Sequence, residues 1–171
     1  SINIPLLINS FEIAQNVPKV FIKTSGNHLY AYTDSSVNAL WHQDGILLSY
    51  STPIMHTDNF GEYLLVKNGS FSCILIDGGD GSLIEHFNEG ASIYSYGISS
   101  DGNYLVIQFS NTTTILYNTN SQTSTRFIFN KGIEEMVFSK TSKYCMFEHT
   151  YGFSIYQINS NSLSSIQNIT Y

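Results

Sequence analysis

Gly97-Ile98-Ser99-Ser100-Asp101-Gly102-Asn103-Tyr104-Leu105-Val106-Ile107-Gln108-Phe109, followed after a short polar break by Thr113-Thr114-Ile115-Leu116-Tyr117-Asn118, is the stretch that decides the fold. Tyr104 to Phe109 and Thr113 to Tyr117 are rich in aromatic and β-branched residues and too short for helices, and Asp101-Gly102 between apolar runs marks a turn. Working outward, Ser92 to Ile98 reads as a strand before that turn. Thr125 to Phe129 reads as another after a second turn at Asn118 to Gln122. The order is inner, second, third and outer strand within about forty residues.

The unit recurs. The position after the turn is His28, Tyr63, Tyr104 and Tyr144, in GNHLYAYT, GEYLLVKN, GNYLVIQF and SKYCMFEH, at separations of 35, 41 and 40 residues. A second anchor, Trp41-His42, Ile76-Asp77, Tyr117-Asn118 and Tyr156-Gln157, follows 13, 13, 13 and 12 residues later. A single four-stranded sheet exposes two apolar faces, so such units must stack face to face. The expectation is an all-β, β-propeller-like array of about four four-stranded blades, either a complete small ring or part of a larger propeller. The blades span residues 17–51, 52–88, 89–129 and 130–171, and residues 1–16 carry an extra N-terminal outer strand at Leu6 to Gln15. Helical periodicity is nearly absent, its best stretch being Lys131 to Val137, barely two turns.

The third unit resembles a WD-type repeat: Gly97 to Leu105 supplies the apolar residue, Ser, Asp-Gly and Leu strand, and Tyr117-Asn118 stands where Trp-Asp closes the usual unit. The fourth is similar at Val137-Phe138-Ser139, Lys143-Tyr144 and Ile155-Tyr156, and the first two are more degenerate. No unit closes in a true Trp-Asp pair and none opens with Gly-His, so the usual His, Ser, Asp and Trp network is missing. Divergent propellers of eukaryotic scaffolding proteins, including those of translation-initiation factors, are similar at this level. The resemblance implies a non-catalytic scaffold, while two cysteines too few for a disulfide framework and the lack of a signal-peptide pattern favour an intracellular, cytoplasmic location over a secreted one.

Composition narrows the function. Seven Lys plus Arg against thirteen Asp plus Glu give a net charge of −6, the wrong sign for collecting phosphate backbones or anionic lipid. Neither nucleic acid nor a membrane is therefore expected as a partner, and no apolar run reaches the eighteen residues a spanning helix needs. Cys73 and Cys145 lie inside apolar strands and read as core thiols. Ser1 to Ile8 lacks the basic flank and apolar run of a signal peptide. Acceptor triplets begin at Asn68, Asn111 and Asn168, which would matter in a secreted protein.

Chemical motifs are few, and no cofactor, metal site or catalytic residue is expected. His56 and Asp58 are two apart and share a strand face, but no third ligand accompanies them. Glu85-His86 and Glu148-His149 put their members on opposite faces. Asp77-Gly78-Gly79-Asp80-Gly81-Ser82 has glycines where a calcium loop needs oxygens, and reads as a hairpin turn. A nucleophile elbow is absent.

The function expected is a protein-interaction scaffold presenting loops to a protein or peptide partner. The loops joining second and third strands are Thr33 to Ser36, Lys67 to Ser70, Ser110 to Thr112 and His149 to Gly152. They would form one rim, with Asp34, Lys67, Asn111, His149 and Tyr151 as binding residues, led by the amphipathic Tyr151. The alternative is a self-associating architectural segment, that is, a homo-oligomer or a piece of a larger propeller. A hydrolase or carbohydrate-binding propeller using His56, Asp58 or the Asp77 to Asp80 turn ranks third.

Overall fold

The computed structural model of the chain describes residues 7–36, 38–45 and 55–171. Among them sixteen strands pair into four antiparallel four-stranded sheets and no helix occurs, giving a β-propeller-like array of four blades. The first sheet holds β1 (Ile8–Ile13), β2 (Lys19–Thr24), β3 (Leu29–Thr33) and β4 (Trp41–Gln43). The second holds β5 (Met55–Thr57), β6 (Tyr63–Lys67), β7 (Ser72–Asp77) and β8 (Leu83–Asn88). The third holds β9 (Ile93–Ile98), β10 (Tyr104–Phe109), β11 (Thr113–Asn118) and β12 (Thr123–Ile128). The fourth holds β13 (Glu135–Phe138), β14 (Tyr144–His149), β15 (Gly152–Asn159) and β16 (Ser162–Thr170). Lys131 to Gly132 is a linker, and the rest of the weakly helical stretch leads into β13.

In every sheet the strands lie in chain order, so each blade is an antiparallel meander. The chain forms two compact units, Ser1–Asn88 and Glu89–Tyr171, each holding two sheets. In the first unit Phe21, Leu29, Ala31 and Trp41 pack against Met55, Leu64, Val66, Ile74 and Ile76. In the second, Val106, Leu116, Phe129, Ile133, Cys145, Phe147 and Ile158 form the core. Alternation explains the choice: Val106 and Leu116 are cross-strand partners, as are Leu64 and Ile76, so each pair points to one face. Each such side chain taken fully out of water contributes about 1.5–3 kcal/mol.

The first sheet corrects the repeat phase. Ile8–Ile13 pairs with β2 and lies beside β5, just as β9 lies beside β13, so it is the innermost strand of its blade. Leu6 to Gln15 is therefore not an extra outer strand, and the blade begins ahead of Val17. His28 opens the third strand of its sheet, whereas Tyr63, Tyr104 and Tyr144 open the second, a place held in the first sheet by Lys19. The physical reason is that Ser25-Gly26-Asn27, with Asn27 at φ 62, makes the same kind of tight turn as Asp101-Gly102-Asn103, with Gly102 at φ 73. A turn signature says that two strands reverse, not which two.

The second anchor also has a cause. Asp77 and Asn118 end third strands, and their side chains cap the turns that follow. Asp77 Oδ1 accepts the Gly79 N–H at 2.7 Å, and Asn118 Oδ1 accepts those of Asn120 and Ser121 at 3.0 and 3.2 Å. Gly78 is required by close backbone approach, since a Cβ there would lie 2.1 Å from the Gly61 carbonyl oxygen.

Candidate interaction surface

Three of the five expected rim residues, Asn111, His149 and Tyr151, lie in the second unit at the ends of its second and third strands. A buried side chain ties their loops together. Gln108, near the end of β10, donates from Nε2 to the carbonyls of Phe129 and Lys131 at 3.2 and 2.7 Å. Its Oε1 accepts the Ile133 N–H at 2.6 Å. With its amide so occupied, Gln108 fixes the linker between the two sheets over this end of the unit.

Lys131, held in that linker, places Nζ 3.1 Å from His149 Nε2. His149 is only 2% exposed, so it supports the rim and offers no contact surface to a partner, which corrects its expected role. Burial, and after it the Lys131 charge, hold its pKa below the ordinary value, with Glu134 opposing. The ring is therefore neutral, and it accepts from Lys131, which can only donate. Beside it, Thr150 Oγ1 donates to Glu134 Oε1 at 2.6 Å, and the Tyr171 N–H donates to the Tyr151 carbonyl at 3.1 Å. The loop is pinned on both sides while the Tyr151 side chain stays 70% exposed.

Sequence reading missed Tyr94. The β9–β10 register passes from Gln108↔Ser95 to Phe109↔Ile93, leaving Tyr94 as the unpaired residue of a β-bulge. The bulge turns its ring outward over Gly132, where a Cβ would meet that ring at 2.8 Å. A shallow cleft of about 180 Å³ results, lined by Tyr94, Gln108, Phe109, Ser110, Thr112, Lys131 and Gly132. Bulges leave no clear single-sequence mark, and the signal available here was an aromatic residue at a position that strict alternation with Ile93 turns away from the core.

In the first unit the remaining two rim residues do not come together. Lys67 is half-buried at the end of β6, before a second-to-third-strand turn. Asp34 is exposed but lies in the β3–β4 connection. Its end of the first sheet borders the start of β6: Lys19, paired with Thr33, donates from Nζ to the Gly61 and Gly78 carbonyls at 2.8 and 3.2 Å. Asp34 and Lys67 thus occupy opposite ends of their sheets, a direct consequence of the one-strand phase error.

The other polar motifs have structural uses. Asp58 is fully buried, and its carboxylate accepts the N–H groups of Phe60 and Tyr63 at 2.9 and 2.8 Å, capping the turn into β6. The Asp77 to Ser82 stretch is the β7–β8 hairpin turn, and Trp41 Nε1 donates to its Gly78 carbonyl at 3.0 Å. Both cysteines are free and buried, and burial pushes the Cys145 thiol up to about 12 and raises Cys73 too, so neither is a poised nucleophile. One further cluster, His28, His42 and Asp44, has ligand-type atoms within 4.8 Å of one another.

No protein-family model and no curated protein matches the chain. Among solved structures it is similar to the β-propeller domain of Cps50 (Swd1) from Myceliophteria thermophila, at 11% identity over 98% of this chain and 57% of that one, with a TM-score of 0.68. It is likewise similar to U3-55K, at 10% identity over 95% of this chain and 52% of that one, TM-score 0.64. A third likeness is to dihydro-heme d1 dehydrogenase NirN in complex with DHE, at 12% identity over 94% of this chain and 37% of that one, TM-score 0.65. The chain spans little more than half the length of the first two. At such identities the likeness is one of fold, and the fold is that of a β-propeller.

Proposed function

We propose that the chain is a non-catalytic scaffold that presents one end of its second unit to a protein or peptide partner. The observation that carries this reading is the pairing of exposed aromatic side chains with a rigid polar support: Tyr94 and Tyr151, 55% and 70% exposed, stand over the buried Gln108 and His149. Amphipathic rings whose backbone is already fixed cost little ordering on binding, the property that makes tyrosine a frequent anchor at interfaces. Asn111 and Lys131 add polar contacts at the rim. The WD-type character of the third and fourth blades, blade boundaries near Glu89 and Asn130, and a cytoplasmic site of action belong to the same proposal; the expected boundary at Thr52 lies outside the described residues. Among the described residues no helix is long and apolar enough to cross a membrane.

The test is quantitative capture of binding proteins by the wild-type chain, by Y94A/Y151A, and by D34A/K67A. Partners lost from the first variant and kept by the second support the rim. A full set of partners on a quadruple D34A/K67A/N111A/Y151A variant overturns it.

A second reading, self-association through a blade face, has its own observation. Cross-strand pairing places Phe11, Ile13, Val20 and Ile22 on the face of the first sheet opposite its core-forming Phe21. Phe11 and Ile13 are 61% and 57% exposed. Apolar rings and branched chains left in water on a sheet face favour burial against another sheet. Light scattering after size exclusion distinguishes the two, since F11S/I13T should lower the molar mass of an associating species and leave that of a monomer unchanged.

A further inference from the structure

We propose that His28, His42 and Asp44 bind a first-row divalent transition-metal ion, Zn²⁺ above all. The cross-strand register creates the site from residues far apart in sequence. Leu29 pairs with Gln43 and Tyr30 with His42, so His28 stands opposite Asp44 where β3 and β4 leave the ladder. His42 and Asp44 are two apart and project from the same face. The result is that His28 Nδ1 and His42 Nε2 both meet Asp44 Oδ1, the latter at 2.7 Å.

Two imidazole nitrogens and one carboxylate oxygen are three of the four ligands of a tetrahedral zinc site, and nitrogen donors select against calcium and magnesium. With the ring protons on His28 Nε2 and His42 Nδ1, both inward nitrogens offer lone pairs. A metal would replace the N–H groups that Asp44 otherwise accepts. Tyr30 stacks on His42 with centroids 4.4 Å apart and planes within 6°, which fixes the plane of that ligand before any ion arrives. The His28 and His42 side chains are 30% and 40% exposed, so an ion reaches them from solvent, and the fourth position stays open to water or to a ligand from a partner. Separate placement of His28, just after the Ser25-Gly26-Asn27 turn, and His42, beside the lone tryptophan, hid the trio from sequence reading.

Isothermal titration of the chelator-treated protein with ZnCl₂ at pH 7.5, and Co²⁺ absorption as a report of coordination, test the site. One Zn²⁺ per chain and the intense visible bands of four-coordinate Co²⁺ are expected. H28A, H42A and D44N should each weaken binding by more than the roughly 10–100-fold that loss of an outer-shell partner costs. H86A, which changes an exposed histidine elsewhere, should bind as the wild type does. D44N, at a side chain 61% exposed, keeps the fold even where H42A loses the Tyr30 stack. Absence of Zn²⁺ binding by the wild type, or undiminished binding by both D44N and H28A, overturns the assignment.

Discussion

The first and third sheets are built from the same four-strand meander, yet they treat their inner strands and turns differently. In the third sheet Asp101 anchors the β9–β10 turn. Its carboxylate accepts from Ser99 Oγ at 2.8 Å, from Asn103 N and Nδ2 at 3.1 and 2.7 Å, and from Ser142 Oγ of the neighbouring sheet at 2.6 Å. In the first sheet the β1–β2 connection passes through Val17-Pro18 and has no such carboxylate. Its inner strand turns Ser10 and Glu12 inward and Phe11 and Ile13 outward. A turn held by side chains writes itself into sequence as Ser-x-Asp-Gly. One held by its neighbours does not.

The comparison can be broken first in the cores. Leu105→Ala, at a fully buried position of the third sheet, should cost about 2–5 kcal/mol, whereas Ile13→Ala in the first should stay within about 0.5 kcal/mol, both read from urea unfolding. Equal losses would mean that β1 is covered after all.

Next come the turns. Burial pushes the Asp101 carboxyl up, but the Ser142 and Ser99 hydroxyls and the two Asn103 donors outweigh it and hold its pKa below the ordinary value. Asp101→Ala should therefore cost about 1–3 kcal/mol, since charged hydrogen bonds are lost and their donors left unpaired. Asp34→Ala should be close to neutral. The stability Asp101 contributes is present above its unfolded value near 4 and is lost as pH falls through the lower folded value. An unfolding curve of D101A that keeps the wild-type acid limb would contradict this.

A smaller effect is expected from His149. Its folded pKa lies below the unfolded value of about 6.5, so the unfolded chain binds the extra proton and stability declines as pH falls below about 6.5. His149→Gln should flatten the pH 7 to 5 portion of the melting-temperature profile. A profile unchanged by the substitution would show the ring to be solvated. Smallest of all, Tyr151→Ala should leave the melting temperature unaltered, because that ring is 70% exposed.

Much of the architecture was legible because β10, β11, β6 and β7 combine β-branched runs with turns that name themselves. The four strands expected between Ser92 and Phe129 are found within about two residues of their observed bounds. The first blade was misphased because Ser25-Gly26-Asn27 imitates the turn that opens the others, and because its inner strand carries Asn9, Ser10 and Glu12 among its apolar residues. At the rim, Tyr151 could be found from its place in a Gly-containing turn. His149 could not be judged, since whether a turn histidine points outward depends on Lys131 and Ser154, which approach it from elsewhere. Tyr94 depended on a bulge, and the His28, His42 and Asp44 trio on a cross-strand register that was assigned one strand away.

The scaffold reading is tested most directly by comparing cross-linked partners captured by Y94A/Y151A with those captured by F11S/I13T, after both variants are shown to melt as the wild type does. Loss of specific partners from the tyrosine variant alone is expected. Partners kept by that variant and lost only from the β1 variant would place the interaction on the blade face and contradict the rim.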